Sequence, residues 1–555
     1  MTTRYQALFK RRWRIGLMAL AMLLPVAWTG SAGAQAAPSN GNHVVYQESA
    51  PTSATPTLAK DFKPAAPLTS QQQKAMQDAL FKKRQRMAAR VPRSVGQRGV
   101  PPVTAPGSRV EDVSSRAKDP TASNALVIAR NNRNYVATGD ACGQASKLAE
   151  PAAANDGRNV YYTGNFQHQE FSTDHGATYS CAAPYPAGPA EAPYPCCDTD
   201  VIYDQARDVT FHSAFYVNDR TDMTNGIVRI FVRRNIPSPD NCYYDIDFDP
   251  AATDVLSDFF HLGLSKKFLY VSANRGSTVE ERWLGAAMSR FNLDQLAACH
   301  VASGRTINVT NDDNQRVLVP GSGAGKVMYF SWVNTPTQWR VFSWPDNSTA
   351  VGSTLHDVGA MTFGDPDCRG GVNNTDWAGE FAAGIEGFNV QTAISKNAVN
   401  VWVPTDSDAA HSNAHIVGAE FRLGKHPNDL TLVQQPVIAF ADQCAGLPAV
   451  GVNDSGDQGL AIAVGGRNGG GGPAVTAAVG IKDKYSNGPG GFVFRKVAEA
   501  TYNPDNNRFG DYFTVRRNSP CGRYFDATGY GYIGGTKAPN VNARYVEFGR
   551  GAYCR

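Results

Sequence analysis

From about Ala125 onward the chain alternates short apolar runs with polar breaks rich in Gly, Asn, Asp and Pro. ALVIA (125–129), DVTFHSAFYV (208–217), GIVRIFVRR (226–234), KFLYVSAN (267–274), KVMYFSWV (326–333), AVNVWVP (398–404), HIVGAEFRL (415–423), GLAIAVGG (459–466) and ARYVEFG (543–549) are the clearest runs. They have strand length and are rich in β-branched and aromatic residues, which predicts β-structure throughout. Long amphipathic helical periods are nearly absent, which argues against a βαβ fold. The runs group into units near 125–182, 198–235, 258–300, 325–346, 380–425, 446–497 and 510–549. Repetition at this spacing predicts an all-β fold, a β-propeller. Seven blades is the expected number, with six or eight as the neighbouring solutions because the fourth unit is short. The N- and C-terminal strands are expected to share one blade and limit exposed sheet edges.

Ahead of this region the pattern changes. Residues 35–120 are rich in Pro, Ala, Ser, Thr and Gln and poor in large apolar residues, as in a disordered linker or propeptide. One helix is predicted inside it, from Ser70 to about Arg90, stopped by Pro92. The basic cluster at 82–86 offers an accessible processing site. Residues 1–34 read as a signal peptide, with a basic start, an uncharged apolar stretch from Ile15 to Trp28, and a small-x-small cleavage pattern at Ala32-Gly33-Ala34. That stretch spans only about 21 Å as helix, against about 30 Å of hydrocarbon. The expected domains are therefore 1–34, 35–120 and a propeller over 121–555. The expected location is secreted or periplasmic, with no transmembrane segment after cleavage.

Charge sharpens the division. Residues 1–34, 35–59, 60–118 and 119–555 carry +5, −1, +9 and −9, which add to the overall +4. An acidic body with a basic tail is a poor nucleic-acid binder, because phosphate neutralisation needs a cationic face. Extracellular glycan or a surface protein is the expected partner; the sequence specifies no oligomeric state. Ten cysteines in an exported chain are expected to pair. Adjacent Cys196 and Cys197 are expected to bridge outward to two different partners, and Cys521 with Cys554 to close the C-terminal segment.

One turn adds a name to the architecture. Ser172-Thr-Asp174-His-Gly176-Ala-Thr178-Tyr179 has the pattern S-x-D-x-G-x-T-aromatic, an Asp-box. Ser172 and Asp174 can hydrogen-bond their own turn, and Gly176 supplies a positive φ. The stretch resembles one blade of a sialidase-type β-propeller, and RFGDY (508–512) is similar to a run found in exported, sialidase-like propellers of unknown activity. The resemblance implies a structural role for Ser172, Asp174, Gly176, Thr178 and Tyr179. An authentic sialidase would also need an arginine triad, an acid/base Asp and a Tyr nucleophile. Its F-R-I-P motif should precede the first Asp-box; here the nearest string, FVRRNIP (231–237), follows it. A sialidase is therefore not expected.

Other chemistry has candidates. Glycoside hydrolysis needs two carboxylates facing across a cleft, and Asp198, Asp200, Asp376, Glu380 and Asp511, with Tyr512, stand at unit entrances. Each also suits a turn cap or a bridge between blades. Asp406, Asp408, His411 and His415 make the most metal-like string. Structural calcium is the possible cofactor there, with none certain, and the H-x-x-x-H spacing lacks the Glu of an H-E-x-x-H site. GGRNGGGG (465–472) lacks the Lys-[Ser/Thr] of a phosphate loop. Two functions remain open. The first is recognition or processing of extracellular glycan at the central pocket, by a glycoside hydrolase or polysaccharide lyase if the chain is an enzyme. The second is a non-catalytic surface scaffold for protein or glycan.

Overall fold

A computed structural model describes residues 43–63, 65, 69–89, 125–134, 142, 146–219, 223–250, 252, 254–309, 317–379 and 389–553. These belong to one compact unit, Ala34–Arg555. The expected signal peptide lies outside the described residues. Among the described residues no helix is long and apolar enough to cross a membrane.

The alternating runs become antiparallel strands, and the described residues form seven sheets of four or five strands with one smaller sheet of three. Sheet 1 holds Ala152–Asn155, Val160–Gly164, His168–Ser172 and Ser180–Cys181. Sheet 2 begins with Tyr194–Asp204 and ends its meander at Cys242–Ile246; sheet 3 runs from Val255–Leu264 to Ala302–Val309. Sheet 4 comprises Val327–Thr335, Gln338–Pro345 and Ala350–Asp357 plus an added edge strand. Sheet 5 starts at Gln391–Ser395, followed by Ala398–Thr405 and His415–Leu423. Sheet 6 opens with Cys444–Val452, and sheet 7 combines Val515–Arg517, Phe525–Gly529 and Arg544–Arg550 with Leu126–Arg133 from the other end of the chain. The last pairing sets Phe548 opposite Ile128.

Both faces of most sheets are covered, which is why the strands read as continuous apolar runs. Val209–Val217 is buried at every position. First strands of successive sheets lie against one another from 1 to 2, 2 to 3, 4 to 5, 5 to 6 and 6 to 7. The Tyr270 and Trp344 rings, 5.4 Å apart, join sheets 3 and 4. Sheet 7 returns to sheet 1, where the Ala153 amide donates to Thr514 Oγ1 (3.3 Å) and Thr528 Oγ1 donates to the Pro151 carbonyl (2.6 Å). The architecture is all-β, multi-sheet and propeller-like.

The segment ahead of the sheets departs from the expected disorder. His43–Gln47, Thr52–Ala54 and Thr57–Leu58 pair in turn with the outer edges of sheets 4, 3 and 2. They form a belt that saturates edge N–H and C=O groups otherwise open to another chain. Glu48 anchors it, with its buried carboxylate held by Arg290, by Arg305 at 3.1 Å and by Trp344 Nε1 at 2.6 Å. The helix spans Ser70–Ala89 and buries Met76 and Leu80 in the core shared by sheets 2 and 3. Residues 35–42 and 90–120 of the expected linker lie outside the described residues.

Cysteine pairing brings one correction. Cys196 and Cys197 are bonded to each other, with Cα atoms 3.7 Å apart, and not to two outside partners. The other described cysteines are already engaged: Cys142 with Cys181, Cys242 with Cys299, and Cys368 with Cys444. Cys521 is also disulfide-bonded, and Cys554 lies outside the described residues.

Candidate functional site

The first strands of sheets 2 and 3 meet the approach to sheet 7 in a buried ionic network. Asp200 is its hub. Its Oδ1 accepts from the Val201 amide (2.7 Å) and from the Arg516 guanidinium, and its Oδ2 accepts from the Leu262 amide (2.7 Å). Arg516 Nε donates onward to the Val201 carbonyl (3.0 Å). Asp198, at φ +40°, accepts from the Phe259 amide (3.2 Å) and donates its own amide to Asn165 Oδ1 (3.2 Å). Tyr512 OH donates to the Thr199 carbonyl (3.1 Å) and accepts from the Thr199 amide (2.9 Å). Asp511 takes Arg508 Nε at 3.2 Å, and its amide donates to Glu150 Oε1 (3.0 Å). Asp198, Asp200, Asp511, Tyr512 and Glu150 are all buried.

Burial governs the protonation of two groups in this network. Burial, then the Asp198 and Glu150 carboxylates, raise the Tyr512 hydroxyl well above its usual range, so it keeps its proton. Burial drives His261, 3.9 Å from Asp200, down to about 4, with Arg516 adding to the effect and Asp200 and Asp511 opposing it. The adjoining cavity, lined by His261, Ser322, Gln391, Thr514 and Arg516 among others, measures about 20 Å³. A single water needs about 10–15 Å³; a sugar ring does not fit. Asp198, Asp200, Asp511 and Tyr512 therefore do come together, buried and hydrogen-bonded to backbone amides, a backbone carbonyl and arginines. Hydrolysis needs carboxylates separated by roughly 5–9.5 Å with substrate between them.

The remaining carboxylate candidates part company. Asp376 accepts amides from Cys368 (2.8 Å), Ala378 (3.1 Å) and Gly379 (3.2 Å), and so caps a turn of the three-stranded sheet. Its neighbour Trp377 is buried and donates Nε1–H to the Gly465 carbonyl (2.8 Å), so its ring is no platform for sugar. Glu380 lies outside the described residues.

In the turn at 172–179, Ser172 Oγ donates to Asp174 Oδ1 (2.7 Å) and accepts from the Gly176 amide (2.8 Å). Asp174 also accepts from the Ala177 and Thr178 amides (3.1 and 2.8 Å) and from Thr178 Oγ1 (2.6 Å). The slight burial of Asp174 raises its pKa, but these hydrogen bonds outweigh that and hold the carboxyl down at about 2. Gly176 sits at φ +76°, and a Cβ there would meet the Tyr545 ring at 2.7 Å. With Asn132 donating to the Gly176 carbonyl at 2.5 Å, the turn clamps sheet 1 to sheet 7. The partly buried Tyr179 packs against the core there.

A second polar cluster sits on the loop between the second and third strands of sheet 5. Asp408, His411 and His415 bring one donor atom each to within 4.8 Å of one another, an arrangement able to coordinate a metal ion. Asp406 does not join them: its Oδ1 accepts from the Ser407 amide (2.6 Å) and its Oδ2 faces Gly364. The two imidazole nitrogens make the donor set poor for calcium, which takes oxygen ligands.

Several polar residues at these places carry no motif. Glu150, His261 and Arg516 belong to no motif, and only their place in a strand-rich stretch hints at a paired role; Arg508 opens the RFGDY run, whose resemblance does not mark it as a partner of Asp511. At the far end of sheets 5 to 7, the turns after the first strands and the ends of the outer ones frame an open cleft of about 450 Å³. It is lined by Lys396, Asp457, Asp483, Lys484, Tyr485, Arg523 and Arg550, among others. Asp483 is held by Arg550 at 2.8 Å. Tyr485 is 46% exposed, with Lys484 Nζ 4.8 Å from its ring centre.

No protein-family model matches the sequence, and no curated protein matches it. Solved structures with some likeness include the GH93 α-L-arabinofuranosidase of Fusarium graminearum, at 9% identity and TM-score 0.34, covering 77% of this chain and 98% of that one. Trypanosoma rangeli sialidase shows 7% identity and TM-score 0.35, over 76% of this chain and 59% of that one. A GH43 endo-arabinanase from Bacillus licheniformis shows 10% identity and TM-score 0.27, over 63% and 98%. At these TM-scores the likenesses assign neither fold nor activity, and the functional reading rests on this chain's own side chains.

Proposed function

We propose that this chain is an exported, seven-bladed β-propeller that recognises extracellular glycan without cleaving it at the axis. The observation that carries the reading is the closure of the axial network. Asp198, Asp200 and Asp511 are taken up by backbone amides and arginines, and the cavity beside His261 and Arg516 measures only about 20 Å³. Recognition falls instead to the open cleft beside Tyr485. An exposed aromatic face stacks against a sugar ring, and four cations set against two carboxylates there favour a glycan bearing acidic groups. Sheet 7, which pairs Arg544–Arg550 with Leu126–Arg133, supports the seven-blade ring.

A second reading, hydrolase or lyase, is favoured by the gathering of Asp198, Asp200, Asp511 and Tyr512 at one place. A panel of neutral and acidic polysaccharides, scored for both binding and product release, separates the two. Binding of acidic glycans that weakens about tenfold in Tyr485→Ala and Lys484→Ala, with no product, is the expected result. Product release abolished by Asp200→Asn in a protein that still folds would replace recognition with catalysis.

A further inference from the structure

The 406–414 loop is built around its three metal-capable side chains before any ion arrives. Asp408 Oδ1 accepts the amides of Ala410 and His411, both at 2.7 Å, which folds the loop back and sets His411 Nδ1 3.0 Å from that oxygen. Asp408 Oδ2 is left facing His415 Nε2 at 3.6 Å. The imidazole rings lie 4.3 Å apart, inclined at 40°. His415 is buried, and its Nδ1–H points to the Asn413 carbonyl at 3.2 Å. That bond leaves the Nε2 lone pair aimed at the cluster, the outer-shell arrangement that orients metal-binding histidines. Asn413 is pinned in turn, donating to the Phe440 and Ala441 carbonyls and accepting the Asn468 amide at 3.0 Å. Asn468 closes the frame by donating to the Ser412 carbonyl at 3.1 Å.

We infer that Asp408, His411 and His415 form a three-ligand site for a transition-metal dication, with zinc as the natural occupant. Two imidazoles and one carboxylate suit zinc, whereas calcium asks for six to eight oxygens. Zinc–nitrogen and zinc–oxygen bonds of about 2.0–2.2 Å place tetrahedral donor atoms roughly 3.3 Å apart; the Asp408 oxygens already stand 3.0 Å from His411 Nδ1 and 3.6 Å from His415 Nε2, and one donor atom from each side chain lies within 4.8 Å of the others. Asp408 and His411 keep 21% and 10% side-chain exposure, so an ion can enter from solvent and keep its fourth position open to water. The site stands on the same end of the sheets as the starts of their first strands, away from the Tyr485 cleft, and is independent of glycan binding there.

The test uses tag-free full chain, stripped with chelator and titrated with zinc chloride by calorimetry, with bound metal counted by elemental analysis. One equivalent of zinc, a raised melting temperature and no response to calcium are expected. Cobalt substitution should give the visible absorption of a four-coordinate site. His411→Ala and Asp408→Ala, both at partly exposed positions, should fold and lose affinity by on the order of 100-fold. His415→Ala is the variant most exposed to misfolding, so the other two variants decide the question. Zinc binding unchanged in both variants, absence of a stoichiometric site, or a calcium response in place of a zinc one overturns the inference.

Discussion

Two polar clusters, one deep among the first strands of sheets 2, 3 and 7 (the axis of the proposed propeller) and one on a loop of sheet 5 (its rim), hold the same kinds of side chain in opposite states. At the axis Asp200 meets His261 and Arg516; at the rim of sheet 5 Asp408 meets His411 and His415. The axial carboxylate is saturated: two backbone amides and a guanidinium occupy both oxygens, and His261 stands off at 3.9 Å. The rim carboxylate has one oxygen committed to its own loop and the other turned toward an imidazole. Burial separates the two outcomes. A carboxylate in a closed apolar frame must be fully paired to be tolerated, whereas one beside solvent can stay available to an incoming cation. The residue types that look catalytic in the sequence are thus structural where they are deepest and available where they are shallow.

The largest expected effect tests the axial half of that contrast. Arg516→Ala leaves Asp200 buried without its cation, and breaking such a pair costs about 3–5 kcal/mol. Chemical denaturation of wild type and variant measures it. A cost under about 1 kcal/mol, the range of exposed pairs, would mean that water reaches Asp200, and the scaffold interpretation of the axis would fail.

Acid supplies the next largest effect. His261 is driven down to about 4 in the folded chain, from an unfolded value of about 6.5. The folded state therefore binds fewer protons than the unfolded chain between these values. The stabilising contribution is fully present above about pH 6.5 and is lost as pH falls toward 4, by about 3 kcal/mol in total. Asp200, Asp511, Arg516 and the Tyr512 ring are the groups that face His261. His261→Gln should make the stability profile shallower across pH 4 to 6.5 than in wild type, while His415 and His212, also held low by burial, keep part of the acid response. A variant as acid-sensitive as wild type would place the pH response elsewhere.

These contrasts also show what is legible in the sequence. The strand runs and the helix from Ser70 can be read because each is a local pattern repeated or bounded by clear signals, and the shared terminal sheet follows from the need to cover sheet edges. The belt of residues 43–58 cannot: strands of five, three and two residues carry almost no periodicity, and they exist through pairing with partners up to 311 positions away. The axial Asp and Tyr residues stand out, but Arg516 lies 316 positions from Asp200, so the pairing that silences them is invisible. Asp406 and Asp408 look equivalent, and only the backbone turn at Ala410 and His411 separates them. By contrast, the 172–179 turn is readable because the side-chain hydrogen bonds of Ser172 and Asp174 that shape it are local. Asp174→Ala, which removes four of them, should destabilise by about 1–2 kcal/mol, measured by thermal melting with ligand binding retained. Lost binding at unchanged melting temperature would make the turn a site.

The smallest effect is the one that separates rim from axis most cleanly. Asp408→Asn keeps the shape of the side chain and its acceptor toward Ala410 and His411, and it exchanges a partly exposed charge for an amide. In metal-free protein the cost should stay below about 1 kcal/mol, because exposed ion pairs contribute little. With zinc present at about 100 times the wild-type dissociation constant, wild type gains about 2.7 kcal/mol by mass action, and the variant gains far less. The gap between the two melting curves should therefore open only when zinc is added, whereas the gap produced by Arg516→Ala should be the same with and without metal. Were the Asp408→Asn gap equally large in both conditions, Asp408 would be a structural carboxylate like Asp200, and the contrast between rim and axis would collapse.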